Sequence, residues 1–260
     1  SICFALTEPS AGSDASAIKT TAVKDGDDYV INGEKVFISG FKVSDYALVV
    51  TKATNGEDRH HGFSAFFVET DSPGLVATPL EMLGHWPLGT FMLHFDDVRV
   101  PADHLLGELD RAWPAMSEYL MYERLCLSAA RTGAAQAALD DSLAYAKTRE
   151  QFGRPIGKFQ AVSHKLADMQ LQVHLSRLLL QWYTWKFECG TNTRSDAAML
   201  KLYSCEMYKE VADLGLQVLG GYGYSMEYDL QRHYREARLG VIGAGTSEVQ
   251  RNIIAKALGL

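Results

Sequence analysis

From Ser1 to about Val100, apolar and polar positions alternate with a period near two, the pattern of half-buried strands. Tyr29 and Ile31, then Lys35, Phe37 and Ser39, fall on alternating positions. Further short strands are expected at residues 47–51, 63–69, 76–79, 92–95 and 98–100. Asp25-Gly26, Asn32-Gly33 and Asn55-Gly56 read as turns, because Gly and Asn tolerate positive φ. Pro73, Pro79, Pro87 and Pro101 suit loops or strand ends, since proline cannot donate into a central ladder. After Pro101 the period lengthens, and helices rich in Ala, Leu, Met, Gln and Glu are expected at residues 113–147, 159–188, 195–219 and 247–258. Gly190 and Asn192 divide the second from the third, and Gly220-Gly221-Tyr222-Gly223 ends the third. Thr246 or Ser247 can cap the last, with Glu248 in the first turn, where the helix dipole favours a negative charge. The predicted fold class is α+β: an antiparallel β-sandwich or barrel over residues 1–106, then an antiparallel four-helix bundle over residues 107–260.

Composition narrows the function classes. The 260 residues carry 25 Lys and Arg against 32 Asp and Glu, a net charge of −7, which argues against an electrostatic nucleic-acid binder. A 47% hydrophobic content suits a globular chain able to bury a core. No apolar run approaches the ~18 residues of a membrane span, and the start lacks a signal-peptide layout. The expected setting is the cytoplasm of a bacterium or the mitochondrial matrix of a eukaryote. Ser1-Ile2-Cys3-Phe4 reads as the inside of an apolar segment without an initiator Met, so the sequence is expected to begin within a larger protein. Four dispersed cysteines suggest reduced, mostly packed thiols. His60-His61 reads as a solvated loop, and no histidine spacing suits a metal, so none is assigned. The aromatics Trp182, Tyr183, Trp185 and Phe187 read as helix packing or a subunit interface.

Four short segments stand in a telling order. They are Ala5-Leu6-Thr7-Glu8-Pro9-Ser10-Ala11-Gly12-Ser13-Asp14; Arg149-Glu150-Gln151-Phe152-Gly153 with Phe159-Gln160; Gln217-Val218-Leu219-Gly220-Gly221; and Gly245-Thr246-Ser247-Glu248 with Gln250-Arg251. Together they resemble the signatures of the acyl-CoA dehydrogenases, covering that family's middle β domain and C-terminal helical domain, with its N-terminal helical domain missing. The resemblance implies FAD as cofactor and an acyl-CoA thioester as substrate, oxidised to the trans-2-enoyl product. It also implies an electron-transfer flavoprotein or similar acceptor, and a homodimer or homotetramer.

By that resemblance Phe4, Leu6 and Thr7 flank the isoalloxazine, with Phe37 and Ser39 beside the ring; an indole is more usual at Phe37. Ser13 reaches the pantetheine or the flavin edge. Arg149, Gln151, Phe152, Gln160 and the Gln217, Val218, Gly220, Gly221 loop hold the adenine half of a flavin shared with a neighbouring subunit, and Thr246 and Glu248 belong to the same cofactor set. A forked guanidinium suits a pyrophosphate, and a Gly-Gly pair lets amides approach it. Taken alone, Arg149 reads equally well as a surface ion pair, and Gly220-Gly221 reads first as a helix C-cap, which is compatible with facing a ligand.

Many members of the family carry the catalytic glutamate just before the Gly-Thr of the last motif. Here Gly243-Ala244 stands there, and neither residue accepts a proton. A second branch, which includes isovaleryl-CoA and long-chain enzymes, places the base before an Arg on the first helix of the C-terminal domain. Tyr122-Glu123-Arg124 matches that arrangement. One helical turn away lie Tyr119, Leu120, Cys126 and Leu127, none basic, so desolvation should raise the pKa of Glu123 toward that of a general base. Read alone, Glu123 fits better as the partner of a distant Arg or a residue at the rim of the bundle; the family resemblance reverses that preference. Tyr122, Arg124, Gly243 and Ala244 are placed beside the substrate, with Arg124 also bracing the helix. The alternatives to a dehydrogenase are an acyl-CoA oxidase and a non-catalytic subunit of the same fold.

Overall fold

The computed structural model describes residues 1–52 and 62–260, so Asn55-Gly56 and His60-His61 lie outside the described residues. The chain divides into two compact units, Ser1–Glu118 and Tyr119–Leu260.

The first unit packs two sheets face to face. β1 (Ile2–Ala5), β4 (Tyr46–Lys52) and β5 (Phe63–Glu69) form one, in the order β1-β4-β5. β2 (Thr21–Asp25), β3 (Asp28–Ser39), β6 (Leu75–Pro79) and β7 (Thr90–Pro101) form the other, in the order β2-β3-β7-β6. Tyr29, Ile31, Leu93, Phe95 and Val98 from one sheet meet Ala5, Val49, Phe66 and Val68 from the other in a single core. The Tyr29 and Phe66 rings lie 4.9 Å apart within it. Each fully buried Val, Leu, Ile or Phe among them contributes about 1.5–3 kcal/mol.

Several sequence expectations are corrected here. The sheets are not wholly antiparallel, because β1 runs parallel to β4. β1 and β2 have no counterpart in the alternation read above; both are short, and β2 shows almost no inward face. Residues 92–95 and 98–100 belong to the one strand β7, where Asp97 takes φ +50 and hides the continuity. In β3 the register shifts between Lys35 and Ile38, with Phe37 at φ +61. That irregularity breaks the expected alternation: Lys35 is fully buried while Phe37 and Ser39 are exposed.

Three long helices dominate the second unit: α1 (Ala112–Thr148), most of whose length lies there, α2 (Gln160–Glu188) and α3 (Arg194–Leu219). α5 (Ser247–Ala257) follows the last motif. α4 (Leu230–Gly240) was not expected; its strongly polar sequence hides a narrow buried face made by Leu230, His233, Ala237 and Gly240. α3 is the central helix, packing against α2, α4 and α5. Its start is fixed by a capping box in which Thr193 Oγ1 accepts from Asp196 N and Asp196 Oδ2 accepts from Thr193 N. Small residues let the helices approach closely: Ala135, Ala138, Ala146 and Gly215 line the core beside Leu139, Met169 and Val211. A buried hydrogen bond of 2.8 Å between the Thr132 and Ser176 hydroxyls ties α1 to α2. Cys3 and Cys205 are buried, but Cys126 and Cys189 are exposed, so only half of the thiols are packed as expected.

Candidate functional site

In the first unit, the loop that leaves β1 is held against β3. Val36 N donates to Thr7 O at 2.9 Å, and Lys35 Nζ donates to Leu6 O at 2.9 Å. This docks half-buried Leu6 and Thr7 on the part of β3 that carries exposed Phe37 and Ser39, while half-buried Phe4 lies within β1. Lys35 Nζ also reaches Glu8 Oε1 at 2.9 Å, and both side chains are buried. Glu8 accepts further bonds from Thr20 N, Thr20 Oγ1 and Lys19 N. Burial alone would raise the pKa of Glu8, but the Lys35 charge and the Thr20 bonds outweigh it, and the net shift is downward. Burial brings Lys35 down to about 8, against the opposing pull of Glu8. Ser13 is exposed, next to the Asp14 that caps the following turn.

In the second unit, the segment between α1 and α2 makes a two-residue hairpin from β8 (Glu150–Gln151) and β9 (Arg154–Pro155). Its turn residues, Phe152 at φ +53 and Gly153 at φ +75, both take left-handed conformations, as a tight hairpin turn demands. An aromatic residue at such a position carries backbone strain, and the Phe152 side chain is 94% exposed. It stands over a groove of about 860 Å³ lined by Arg149, Gln151, Phe152, Phe159 and the turn Val218–Tyr222. The Arg149 guanidinium lies 5.5 Å from the Tyr222 ring and Arg154 lies 4.1 Å from that of Phe159. α3 ends at Gly220, whose φ of +61 makes it the helix C-cap, and a Cβ on Gly220 or Gly221 would meet nothing within 4 Å. The cap reading and an open ligand-facing turn therefore hold together. An exposed aromatic plane, a cation and an uncovered glycine turn around one groove suit an aromatic ligand bearing phosphate.

Not every expected residue gathers there. Gln160 and Gln217 are exposed and lie outside the groove lining. Thr246 and Glu248 line a separate cavity of about 180 Å³ with Glu206, Lys209 and Arg238. Thr246 caps α5, its Oγ1 accepting from Val249 N at 3.2 Å. Of the aromatic cluster, Tyr183 is buried, while Trp182, Trp185 and Phe187 are exposed.

Glu123 is half-buried on α1, and among the described residues no hydrogen bond or ion pair holds its carboxylate. Its pKa is raised by desolvation, against the pull of Arg124 and Lys201. The expectation of no nearby cation needs correction: Lys201, from α3, is one that helical spacing could not reveal. Lys201 is 1% exposed, and its Nζ donates to Gly245 O at 2.7 Å. Burial lowers its pKa. Gln250 Nε2 donates to the same oxygen at 2.9 Å and to Ala244 O at 3.3 Å. Together they hold the Gly243-Ala244-Gly245 turn, in which Ala244 is left-handed at φ +52. Arg124 is buried with its Nε unbonded, and Tyr122 is exposed, its ring 6.0 Å from Phe187.

The chain is similar to known proteins along nearly its whole length. The family model for the acyl-CoA dehydrogenase middle domain matches residues 3–98, and that for the C-terminal domain matches residues 110–259. The chain is 41% identical to a probable acyl-CoA dehydrogenase, YngJ, of Bacillus subtilis over 98% of its length and 67% of the relative's. It is 37% identical to the caffeyl-CoA reductase-Etf complex subunit CarC of Acetobacterium woodii, over 98% of this chain and 67% of that one. The crystal structure of an acyl-CoA dehydrogenase from Geobacillus kaustophilus superposes with a TM-score of 0.97 at 38% identity, covering all of this chain and 69% of that one. The chain spans about two thirds of the length of these relatives. Among the described residues no helix is long and apolar enough to cross a membrane, and no cluster of His, Cys, Asp and Glu could hold a metal.

Proposed function

The chain belongs to the acyl-CoA dehydrogenase family of FAD-dependent oxidoreductases, and from that premise we propose that it serves the α,β-dehydrogenation of an acyl-CoA with Glu123 as the base. The observation that carries the assignment is a carboxylate on α1 that is desolvated and unbonded, while the alternative base position is Ala244. A carboxylate whose pKa is raised by burial keeps enough basicity to remove an α-proton acidified by a thioester. FAD, when bound, supplies the acceptor for the β-hydride.

The chain's own residues have the remaining work. The groove around Arg149, Phe152 and Gly220-Gly221 suits the adenine and pyrophosphate portion of FAD. Phe4, the Leu6-Thr7 segment docked on β3, and exposed Phe37 and Ser39 are the residues this reading gives to the isoalloxazine. On this reading exposed Ser13 in the first unit serves the pantetheine or the flavin edge, and Tyr122 and Arg124, which flank Glu123 on α1, are the second unit's own substrate residues; the CoA phosphates must find local Arg and Lys against a net charge of −7. The Gly243-Ala244 pair replaces a carboxylate and its bulk with two small residues, which leaves room for a branched or bulky acyl group. An electron-transfer flavoprotein is the acceptor this reading favours; the relative named as an Etf complex subunit supports it.

α2 carries Leu171, Leu175, Leu178, Trp182 and Trp185 exposed at alternating steps of four and three. Such a stripe is the seam by which helices pair, and it supports assembly into a homodimer or homotetramer.

The deciding experiment is Glu123→Gln in the full-length protein. It should retain flavin and lose acyl-CoA-dependent bleaching by at least about a hundredfold, the usual contribution of a positioned general base. Unchanged bleaching would refute the assignment.

A further inference from the structure

The first sequence motif contains a charged residue, Glu8, to which the proposed chemistry gives no task. In the structure it is 4% exposed and forms an ion pair with Lys35, which is 0% exposed. Two buried charges are costly to desolvate, and such a pair is rarely the best choice for stability alone. Its geometry suggests what it accomplishes instead. The three protons of an ammonium are shared here between the carboxylate, at 2.9 Å, and the Leu6 carbonyl, at 2.9 Å. Glu8 is itself fixed by Thr20 N, Thr20 Oγ1 and Lys19 N at 2.9, 2.6 and 2.6 Å, so the ammonium has little freedom. The next carbonyl, Thr7 O, is bound by Val36 N. Both carbonyls of the Leu6-Thr7 segment are thus drawn toward β3. A trans peptide carries its N–H opposite its C=O. Holding Leu6 O inward therefore turns the Thr7 N–H outward, and among the described residues no acceptor takes it.

We propose that Glu8 and Lys35 are positioning residues, whose buried ion pair locks the Leu6-Thr7 peptide so that the Thr7 amide points at an acceptor atom of the flavin ring. This rests on the reading that Leu6, Thr7 and Phe37 line the isoalloxazine. A carbonyl left to a neutral partner would allow the peptide to rotate and the donor to lose its aim. A buried ammonium, pinned by a carboxylate that holds three other hydrogen bonds, makes that rotation costly.

The test is Glu8→Gln/Lys35→Met in the full-length holoprotein, with Glu8→Gln alone as a second variant that keeps the side-chain volume and the Lys35 bond to Leu6 O but lowers stability by leaving Lys35 without its counter-ion. The double variant removes both charges, so no unpaired ion stays buried. It should keep wild-type far-UV circular dichroism while binding FAD about tenfold more weakly, the loss of one aimed hydrogen bond, and shifting the visible absorption maximum of the flavin. Glu8→Gln should shift the spectrum in the same direction by less. Wild-type FAD affinity and spectrum in both variants would overturn the proposal. Phe37→Ala separates this outcome from failure of the underlying reading. If it too leaves the flavin spectrum and affinity untouched, the ring does not lie beside Phe37; if it perturbs them while the other two variants do not, only the positioning role falls.

Discussion

Two helical glycines, Gly133 in α1 and Gly215 in α3, should respond to the same substitution with opposite signs. Glycine inside a helix costs roughly 0.5–1 kcal/mol relative to alanine through backbone entropy, so Gly→Ala normally stabilises. At Gly133 a Cβ would meet nothing within 4 Å, and that gain should appear in full. At Gly215 the Cβ would lie 2.7 Å from Leu230 Cδ1 and 2.7 Å from Ser142 Oγ, with Met169 Cε at 3.5 Å. Carbon contacts are optimal at about 3.5–4.0 Å, so two neighbours on two different helices would each need to yield by nearly 1 Å. Neither can turn toward solvent: Leu230 is 1% exposed, and Ser142 is fully buried with its hydroxyl bound to Ala138 O at 2.6 Å. Overpacking of this kind costs about 1–3 kcal/mol and outweighs the entropic gain. Gly215→Ala should therefore lose about 1–2 kcal/mol while Gly133→Ala gains about 0.5–1. Urea denaturation followed by circular dichroism measures both, and Gly215→Ala/Ser142→Ala should recover part of the loss. A Gly215→Ala protein as stable as wild type, or more so, would refute the reasoning that α3 is centred by close approach.

Three further outcomes are expected. Desolvation raises the pKa of Glu123, and the Lys201 charge opposes that rise; Lys201→Met should let the pKa climb further, so that the low-pH limb of flavin bleaching moves to higher pH, and an unmoved limb would show that Lys201 does not tune the base. Phe152→Ala should leave the helical circular dichroism unchanged, since the side chain is 94% exposed, but weaken FAD binding by about tenfold or less through the loss of one aromatic contact; equal affinity would remove the hairpin from the cofactor site. Leu178→Glu/Trp182→Glu places two charges on the exposed stripe of α2 and should lower the molar mass seen by light scattering, whereas an unchanged mass would locate the assembly surface elsewhere.

How far the sequence alone reached depended on whether the information was local. Period-two alternation with turn dipeptides, then long runs of helix formers, marked the change from β-sandwich to helices, because side-chain direction along a strand or helix is set by backbone geometry within a few residues. Caps were legible for the same reason: Thr246 and Gly220 cap where their chemistry says they should. The four motifs in order were enough to suggest the family. Local reading failed where distant chain decides. The parallel pairing of β1 with β4 depends on forty-odd residues folding between them. The irregularity in β3 that sends Lys35 inward and Phe37 outward needs β7 beside it. α4 packs on α3 through Leu230, His233, Ala237 and Gly240, a buried face that its polar sequence conceals.

The site divides in the same way. The sequence by itself determined which functional groups the protein owns: a glutamate on the first long helix, no carboxylate at position 244, an arginine and a glycine turn suited to phosphate. Only the tertiary structure decided what surrounds them. Lys201 is 78 positions from Glu123 in the chain, yet its charge bears on that carboxylate while it ties down the Ala244-Gly245 turn. Glu8 and Lys35 stood 27 residues apart with nothing in their spacing to link them, until burial made the pair obligatory. Charges interact through space and through the solvent they lose, and neither distance nor desolvation is written in the order of residues.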